Sequence, residues 1–276
     1  MLHWPIEPLT NYGLRGPLLE YSSTPSDSVL GLNRKYWRRF HVQDHENFRH
    51  NLVREFLLLA KSTRNCSRVL DIGSGSQPYR KFIEDLGMRY VSHDFSEYTS
   101  ELHNKFFGLH NSESSEKAPE IVCDALDIPL KEKYDLILCT EVLEHVPNPV
   151  ELLERAFALS STEGYLLFTV PGNSWTHQAP YYFSAGLSPF WFDHHIRKFG
   201  GNIIDGVLVG NLKTSTFQSM ASLESIHSKS LLRIVGWIYR KMYLLLSWKR
   251  NFGDGLFSAP VSQVVVLCKN GRRSSE

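Results

Sequence analysis

The sequence predicts an α/β fold in which a doubly wound, mostly parallel, seven-stranded sheet is covered by helices on both faces. Seven short apolar runs predict the strands: RVLDI at 68–72, RYVSHD at 89–94, EIVCD at 120–124, YDLILCTE at 134–141, YLLFTV at 165–170, NIIDGVLV at 202–209 and SQVVVLC at 262–268. Helical segments lie between several of them, namely PYRKFIEDLG, PVELLERAFALS and SPFWFDHHIRKFG. Strands that alternate with helices favour a parallel sheet. Such sheets bind ligands beyond the carboxyl ends of their strands, where the strand order switches.

The segments before the first of these strands predict an arm and a helix. Residues 1–43 are rich in proline, glycine, serine and aromatic residues, with little periodicity, and are expected to form an irregular arm. A helix is expected from Asp44, which is a favourable N-cap residue. Its apolar stripe contains Phe48, Leu52, Phe56 and Leu59. We therefore expect one domain over residues 44–276.

Composition indicates an ordinary globular protein. Hydrophobic residues make up 42% of the 276 residues and charged residues 21%, and the formal net charge is +1, which gives no strong attraction to nucleic acid. The cysteines, Cys66, Cys123, Cys139 and Cys268, lack the paired spacing of metal or redox motifs. The amino terminus lacks the basic and then apolar pattern of a signal peptide, so we expect a cytoplasmic protein with reduced thiols.

A glycine turn follows the first predicted strand directly. Gly73 and Gly75 lack Cβ atoms, so the backbone there can turn sharply and approach a ligand closely. A dinucleotide-binding fingerprint would have a third glycine three residues later, but that position is Pro78. The turn therefore favours a nucleoside-type ligand without a pyrophosphate, or a strand-to-helix connection that binds no ligand.

Three acidic residues end the first three predicted strands at the ligand edge of the sheet. They are Asp71, Asp94 and Asp124. Asp94 lies 23 residues after Asp71, close to the offset of about 20 at which an acid binds ribose hydroxyls in nucleotide-binding α/β folds. Three carboxylates repel phosphates and attract cations. S-adenosylmethionine, a nucleoside with a sulfonium and an ammonium group, fits this pattern.

Four segments in order, VLDIGSGSQPY, YVSHDF, IVCDALDIP and YDLILCTEVLEHVPNP, resemble the motifs of class I SAM-dependent methyltransferases of the type 11 group. The resemblance covers about residues 65–171 and implies a Rossmann-like fold. It implies that Asp71, Gly73 and Gly75 surround the methionine portion and that Asp94 binds the ribose. Asp124 and Ala125 are implied at the adenine. The remaining members of the expected cofactor-binding set are Phe95, Thr140 and Glu141. For each acid, a helix cap or a surface salt bridge is the alternative.

The segment CTEVLEHVPNP lies at the end of the fourth predicted strand. The resemblance implies that the transferred methyl group and the acceptor meet there. In a helical turn, Glu141 and His145 would be four residues apart and share a face. They are the candidate catalytic residues, because a carboxylate can orient an acceptor hydroxyl and an imidazole can take its proton. Alternatively, Glu141 lines the cofactor pocket and His145 supports the turn.

Residues 171–200 contain many aromatic residues and histidines and form an expected lid. The stretches HQAPYYF and WFDHH also resemble a methyltransferase subgroup associated with bacterial surface polysaccharide gene sets. The candidate acceptor-binding residues are Trp175, His177, Tyr181 and Tyr182, whose ring faces suit a sugar or ring acceptor. A lid that closes over the cofactor alone is the alternative.

No metal site is predicted. His177, His194 and His195 are the histidines considered, but adjacent histidines on a helix diverge and no acidic ligands accompany them.

A second amphipathic helix is predicted over residues 229–248, with Lys229, Arg233, Arg240 and Ser247 on one stripe. Its basic residues leave it short of a membrane-spanning segment. It can lie on an anionic membrane surface, which would suit a lipid-linked acceptor, or it can cover the sheet or form a homodimer contact.

These patterns predict a cytoplasmic methyltransferase that uses S-adenosylmethionine to modify an oxygen or nitrogen of a small hydroxylated acceptor. A sugar, glycan or lipid-linked precursor is the expected acceptor, by family analogy. The alternatives are a catalytically silent SAM-binding scaffold and an NAD-dependent sugar-modifying enzyme, which Pro78 disfavours.

Overall fold

A computed structural model describes residues 37–40, 45–64, 66–95, 118–174, 176–178, 180–210, 237–238, 241–242 and 262–271. The strands are β1 Trp37–Phe40, β2 Arg68–Ile72, β3 Arg89–Asp94, β4 Ile121–Val122, β5 Tyr134–Thr140, β6 Ser160–Pro171, β7 Gly201–Val209 and β8 Gln263–Asn270. The helices are α1 His45–Thr63, α2 Arg80–Asp85, α3 Pro149–Leu159 and α4 Pro189–Lys198, and 3-10 turns span Ala125–Asp127 and Leu143–His145.

The strands form one sheet, in which their spatial order is β1-β7-β8-β6-β5-β2-β3-β4. All neighbouring pairs are parallel except those of β8, which runs antiparallel to both β6 and β7. The chain starts the central sheet at β2 and builds outward in both directions, so the strand order switches between β2 and β5. This seven-strand arrangement, to which β1 is added, confirms the predicted doubly wound fold.

The helices cover both faces of the sheet. On one face α1 buries Phe48, Leu52 and Phe56 of the predicted stripe against strand residues such as Val69. On the other face α3 and α4 bury a second set that includes Phe157 and Phe192. Each large apolar side chain removed from water contributes about 1.5–3 kcal/mol, so the two layers fix the sheet from both sides.

Two predictions about the strands are corrected. The irregular arm expected over residues 1–43 contains β1, which pairs in parallel with β7, with Trp37 opposite Gly206. A Cβ atom at Gly206 would clash with the Trp37 ring, so the glycine makes room for the indole. A strand of four residues is too short to show alternation in sequence. The strand expected at 120–124 is only β4, because Asp124 instead caps the turn that follows.

Some expectations fall outside the described residues. Asp44 and most of the helix predicted over 229–248 lie there, although residues 237–238 and 241–242 are helical. Among the residues that the structure describes, no helix is long and apolar enough to cross a membrane.

Candidate functional site

The glycine turn lies at the switch point, where the ends of β2 and β5 are neighbours. Gly73 and Gly75 have φ angles of 66° and 48°, in the left-handed region that favours glycine. A Cβ atom at Gly73 would overlap the side chain of Val142, which follows β5. In the part of the chain that the structure describes, a Cβ atom at Gly75 would meet nothing within 4 Å. The first glycine therefore permits packing between the two strand ends, and the second faces open space.

Asp94 ties this turn to the end of β3. The Gly75 N–H donates to Asp94 Oδ2 at 3.0 Å, and the Phe95 N–H donates to Asp94 Oδ1 at 2.8 Å. Each carboxylate oxygen has capacity for a further hydrogen bond. The side chain is thus held by backbone donors at the place where the sequence predicts a ribose, and that role stays a prediction.

His93 is a supporting residue that the sequence did not reveal. The Gly73 N–H lies 3.4 Å from His93 Nδ1, and His93 Nε2 lies 3.0 Å from the carbonyl oxygen of Cys123. Because a carbonyl can only accept, Nε2 donates and Nδ1 is the acceptor. Burial lowers the pKa of His93, so the ring is neutral. It connects the glycine turn to the segment after β4, although in sequence it looks like an ordinary strand residue.

Asp71 lies beneath the glycine turn, with its side chain closed off from solvent. Its residue exposure is 1%, and Tyr90 donates a hydrogen bond of 2.5 Å to its Oδ2. Burial raises the pKa of Asp71 to about 7. Its Oδ1 has no hydrogen-bond partner among the described residues. The structure thus shows a buried bracing carboxyl group, and the predicted contact with the methionine portion stays a prediction.

Asp124 has the capping role that was the alternative to a ligand role. Its Oδ1 accepts from the Leu126 N–H at 2.9 Å and begins the 3-10 turn Ala125–Asp127. Asp124 is exposed and Ala125 is buried. A cap and an adenine contact are compatible, because one carboxylate oxygen remains outside this hydrogen bond.

Glu141 follows β5 with a φ angle of 56°, which is unusual for a residue other than glycine. Its Oε1 accepts from Thr169 Oγ1 at 2.8 Å. Its Oε2 accepts from Gln263 Nε2 at 3.2 Å and pairs with Arg49 at 3.0 Å. Thr140, the preceding residue, pairs in register with Thr169 in the neighbouring strand. These contacts hold Glu141 in a conformation that costs about 1–3 kcal/mol, and strain of this kind is common at functional sites.

Helix α1, which the sequence predicts only as a packing helix, contributes polar side chains to the site. Arg49 pairs with Glu141, and His50 Nδ1 lies 2.8 Å from the hydroxyl of Tyr79. Burial, with nearby Arg49 and Arg54, lowers the pKa of His50 to about 4, so this ring is neutral. The sequence signal for these two polar residues is their position directly after Phe48, a residue of the apolar stripe that packs inward.

His145 and Glu141 do not share the helical face that the sequence suggested. The 3-10 turn covers only Leu143–His145, so Glu141 precedes it and contacts strand residues instead. His145 Nδ1 lies 2.5 Å from the carbonyl oxygen of Tyr181 in the lid, and its ring meets the His177 ring at 4.9 Å in a T-shaped contact. Burial lowers the pKa of His145.

The lid is fastened to the 3-10 turn by its backbone. The N–H groups of Phe183 and Ser184 donate to the Glu144 carbonyl oxygen at 2.9 and 3.2 Å. Tyr182 donates to the Ser174 carbonyl oxygen at 2.7 Å, and its ring contacts the His177 ring. Trp175 lies outside the described residues.

Tyr181 contacts both the Asp94 side of the site and the His145 side. Its ring lies 5.4 Å from that of Phe95, which follows Asp94, and its carbonyl oxygen contacts His145. Tyr181 and Phe95 are 49% and 57% exposed. A pair of exposed aromatic faces therefore lies between the predicted cofactor side and the predicted acceptor side.

The histidines of the lid segment 171–200 lie in two separate places. His194 and His195 contact each other on α4, and His195 also contacts Trp191. His177 instead joins His145 and Glu144, and one donor atom from each of these three lies within 4.8 Å of the others. Glu144 is a site residue that sequence reasoning missed, because it reads as an ordinary acid in the motif segment.

A family model described as a methyltransferase domain matches residues 43–204, which is more than half of the chain. The chain belongs to this methyltransferase family. The match confirms the predicted family, and with it S-adenosylmethionine as the cofactor. It does not separate subgroups, so the link to polysaccharide genes stays a prediction.

Curated relatives are similar over a shorter stretch. The ubiquinone biosynthesis O-methyltransferase of Paraburkholderia phytofirmans is 32% identical over 103 residues, which are 37% of this chain and 43% of that protein. The protein of the same name from Bordetella bronchiseptica is 29% identical over 109 residues, 37% of this chain and 42% of that one. The chain thus spans less than half the length of these curated relatives.

Solved structures with distant sequences are also similar. A SAM-dependent methyltransferase from Archaeoglobus fulgidus has a TM-score of 0.43 and 16% identity, covering 79% of this chain and 93% of that one. The N-methyltransferase NodS from Bradyrhizobium japonicum, in complex with S-adenosylhomocysteine, has a TM-score of 0.43 and 13% identity, covering 80% and 87% of the two chains.

Proposed function

We propose that this methyltransferase transfers the methyl group of S-adenosylmethionine to an oxygen of a small hydroxylated acceptor. The observation that carries the proposal is the junction of the two halves at the switch point. There the Asp94 carboxylate is held beside the glycine turn that follows β2, and the turn that contains His145 follows the neighbouring strand β5. An oxygen acceptor is favoured over nitrogen because the curated relatives are named O-methyltransferases.

The residues on the cofactor side fit a cationic nucleoside. Open space at Gly75 leaves room for close approach of a ligand to the backbone. Asp94 is assigned to the ribose hydroxyls, and the exposed ring of Phe95 can cover an apolar part of the ligand. When bound, S-adenosylmethionine supplies an electrophilic methyl group on a sulfonium. Asp71 contributes by supporting the turn from below.

On the acceptor side, His145 is the candidate proton acceptor. Its Nδ1 faces a carbonyl oxygen and so carries the proton, which leaves the Nε2 lone pair on the other side of the ring. Burial keeps the ring neutral by lowering its pKa. Glu141 has both oxygens engaged by three donors, so we assign it a positioning role. Much of the acceleration is expected from alignment of the acceptor oxygen with the methyl carbon.

The acceptor class proposed from the sequence is a sugar, a glycan or a lipid-linked precursor. The exposed rings of Tyr181 and Phe95 suit the face of a sugar ring. A hydroxyl of a ubiquinone precursor is the second candidate, because the curated relatives are named ubiquinone biosynthesis O-methyltransferases. Both candidates present a hydroxyl on a ring whose face can pack against an aromatic side chain.

A peripheral membrane contact through residues 229–248 and a homodimer belong to the same proposal, as does a cytoplasmic location. The exposed side chains of Trp237, Ile238 and Met242 support a surface contact with lipid or with a second copy. Sedimentation with vesicles of anionic lipid, compared with zwitterionic vesicles, tests the membrane contact, and light scattering tests the dimer.

The deciding experiment combines binding with product formation. Calorimetric titration with S-adenosylmethionine, with S-adenosylhomocysteine and with NAD should give micromolar binding of the first two and none of NAD. Methyl transfer from labelled cofactor is then measured on sugar nucleotides, glycan precursors and phenols. Binding without transfer to any hydroxylated acceptor would support the silent scaffold, and binding of NAD alone would support the sugar-modifying alternative.

A further inference from the structure

The side chain of Glu144 is buried in the 3-10 turn Leu143–His145, on the acceptor side of the site. It is only 1% exposed, and neither carboxylate oxygen has a hydrogen-bond partner among the described residues. A buried carboxylate is costly in free energy unless it is protonated, paired or bound to a metal. The second carboxylate nearby, that of Glu141, adds to this cost.

Two imidazole rings, those of His145 and His177, lie near this carboxylate. His145 Nε2 lies 3.7 Å from Glu144 Oε1, and the rings of His145 and His177 are in contact. One donor atom from each of the three residues lies within 4.8 Å of the other two. Glu144 and His145 come from one turn and His177 comes from the lid, so the cluster is made by tertiary contact.

The orientation of His145 supports a ligand role. Its Nδ1 donates to the carbonyl oxygen of Tyr181, which directs the unprotonated Nε2 toward Glu144. Metal-binding histidines almost always donate their other ring N–H to a carboxylate, a backbone carbonyl or water in this way. The backbone of Glu144 is itself fixed, because its carbonyl oxygen accepts two N–H groups of the lid.

We propose that Glu144, His145 and His177 bind a divalent metal cation. Two imidazoles and one carboxylate are ligands that favour Mn²⁺, Co²⁺ or Zn²⁺ over Mg²⁺. Metal–ligand distances of about 2.0–2.2 Å bring donor atoms to within about 3–3.5 Å of one another. Binding therefore draws His177 toward the pair Glu144–His145 and closes the lid segment on the turn.

Three protein ligands leave coordination positions for other oxygens, and this step rests on the proposed function. An acceptor hydroxyl that binds there loses its proton to solvent more readily, because a cation lowers the pKa of a bound oxygen acid. Its oxygen then forms the bond to the methyl carbon as the methyl–sulfur bond breaks and the sulfonium becomes a neutral thioether. The Nε2 of His145 takes the acceptor proton only in the metal-free protein, because in the metal-bound protein it is a ligand.

Metal binding is measured without cofactor or acceptor. Tag-free protein is treated with a chelator, dialysed and titrated calorimetrically with Mn²⁺, Co²⁺, Zn²⁺ and Mg²⁺ chlorides, and Co²⁺ binding is followed by its visible absorption. We expect about one equivalent bound, with Mg²⁺ the weakest. Glu144→Gln and His177→Ala should each weaken binding at least about tenfold, as expected for loss of a ligand. His194→Ala, at an exposed position of α4, is the control and should bind like the wild type.

Circular dichroism of each variant separates loss of a ligand from loss of the fold, and His177→Ala carries the test if Glu144→Gln does not fold. Absence of binding by the wild type, or binding that survives both substitutions, overturns the proposal and leaves Glu144 as a protonated acid. Cofactor affinity is measured separately on the metal-free protein. A protein that binds metal but not S-adenosylmethionine refutes the proposed function alone, and the reverse result refutes the metal site alone.

Discussion

The cofactor half of the site and the acceptor half are built in different ways. In the cofactor half, backbone N–H groups at the ends of two adjacent strands hold one carboxylate, that of Asp94. In the acceptor half, His145 of a 3-10 turn contacts the lid, and Arg49 of helix α1 pairs with Glu141 just before that turn. The first half needs only the sheet to form, whereas the second needs separate segments to be placed correctly. Substitutions can therefore be chosen to damage one half and leave the other intact.

The largest effect is expected from His145→Ala, which removes the central side chain of the acceptor half. In the metal-free protein the turnover number should fall about 10²–10⁴-fold, the usual contribution of a positioned acid or base. The affinity for S-adenosylmethionine should stay within about threefold, because the cofactor half does not contain this ring. Steady-state kinetics and calorimetry check the two parts, and equal losses in both would contradict the division into halves.

Asp94→Ala should have the converse effect. Loss of the hydrogen bonds expected between its charged oxygens and the ribose, each worth about 1.5–3 kcal/mol, should weaken cofactor binding at least about 100-fold. Metal affinity of the cofactor-free protein should not change. Asp85→Ala is the matched control, since Asp85 is an exposed acid that pairs with Lys81 on α2. Calorimetric binding that equals the wild type would remove Asp94 from the site.

Gly73→Ala and Gly75→Ala sharpen the comparison within the cofactor half. Both place a side chain at positive φ, which costs about 1–2 kcal/mol. Gly73→Ala also overlaps Val142, so its total loss of stability should be roughly 2–4 kcal/mol. Gly75→Ala should lose only the backbone part but should weaken cofactor binding, because the new methyl group enters the open space. Denaturant unfolding and calorimetry measure the two effects, and equal stabilities would argue against the packing role of Gly73.

The last prediction concerns pH and Asp71. Its pKa of about 7 in the folded protein exceeds the value of 3.8 for an ordinary aspartate, because the group is buried. Between these values the unfolded chain has released the proton and the folded chain retains it, so the free energy of unfolding falls as pH rises from about 4 to 7. Asp71→Asn should flatten this slope in thermal unfolding from pH 5 to pH 8. An unchanged slope would show that Asp71 does not titrate in this range.

The sequence was informative where neighbours in the chain are also neighbours in space. The bounds of β2 and β3 agree with the apolar runs at 68–72 and 89–94, and the glycine turn lies at the switch point. Asp94 could be placed at the ligand edge because parallel strands end together.

The rest depends on contacts between distant segments. Nothing local distinguishes Glu144 as a buried acid, since its surroundings come from the lid more than thirty residues later. Arg49 reaches Glu141 from α1, and His93 links two loops, and each looks like an ordinary helix or strand residue in sequence. The shared face expected for Glu141 and His145 failed because the turn is a short 3-10 helix that begins after Glu141.

The position of β8 has a practical consequence for anyone who wishes to cut the chain. β8 is the third strand from one end of the described sheet but the last of its strands in sequence, and it lies between β7 and β6. A fragment with the bounds of the family match, 43–204, would keep most of the candidate site yet lose β8 and β1. It would expose the unpaired edge of β6 and detach what remains of β7, and bare strand edges promote aggregation. The family boundary marks shared ancestry, and it is not the boundary of a unit that folds by itself.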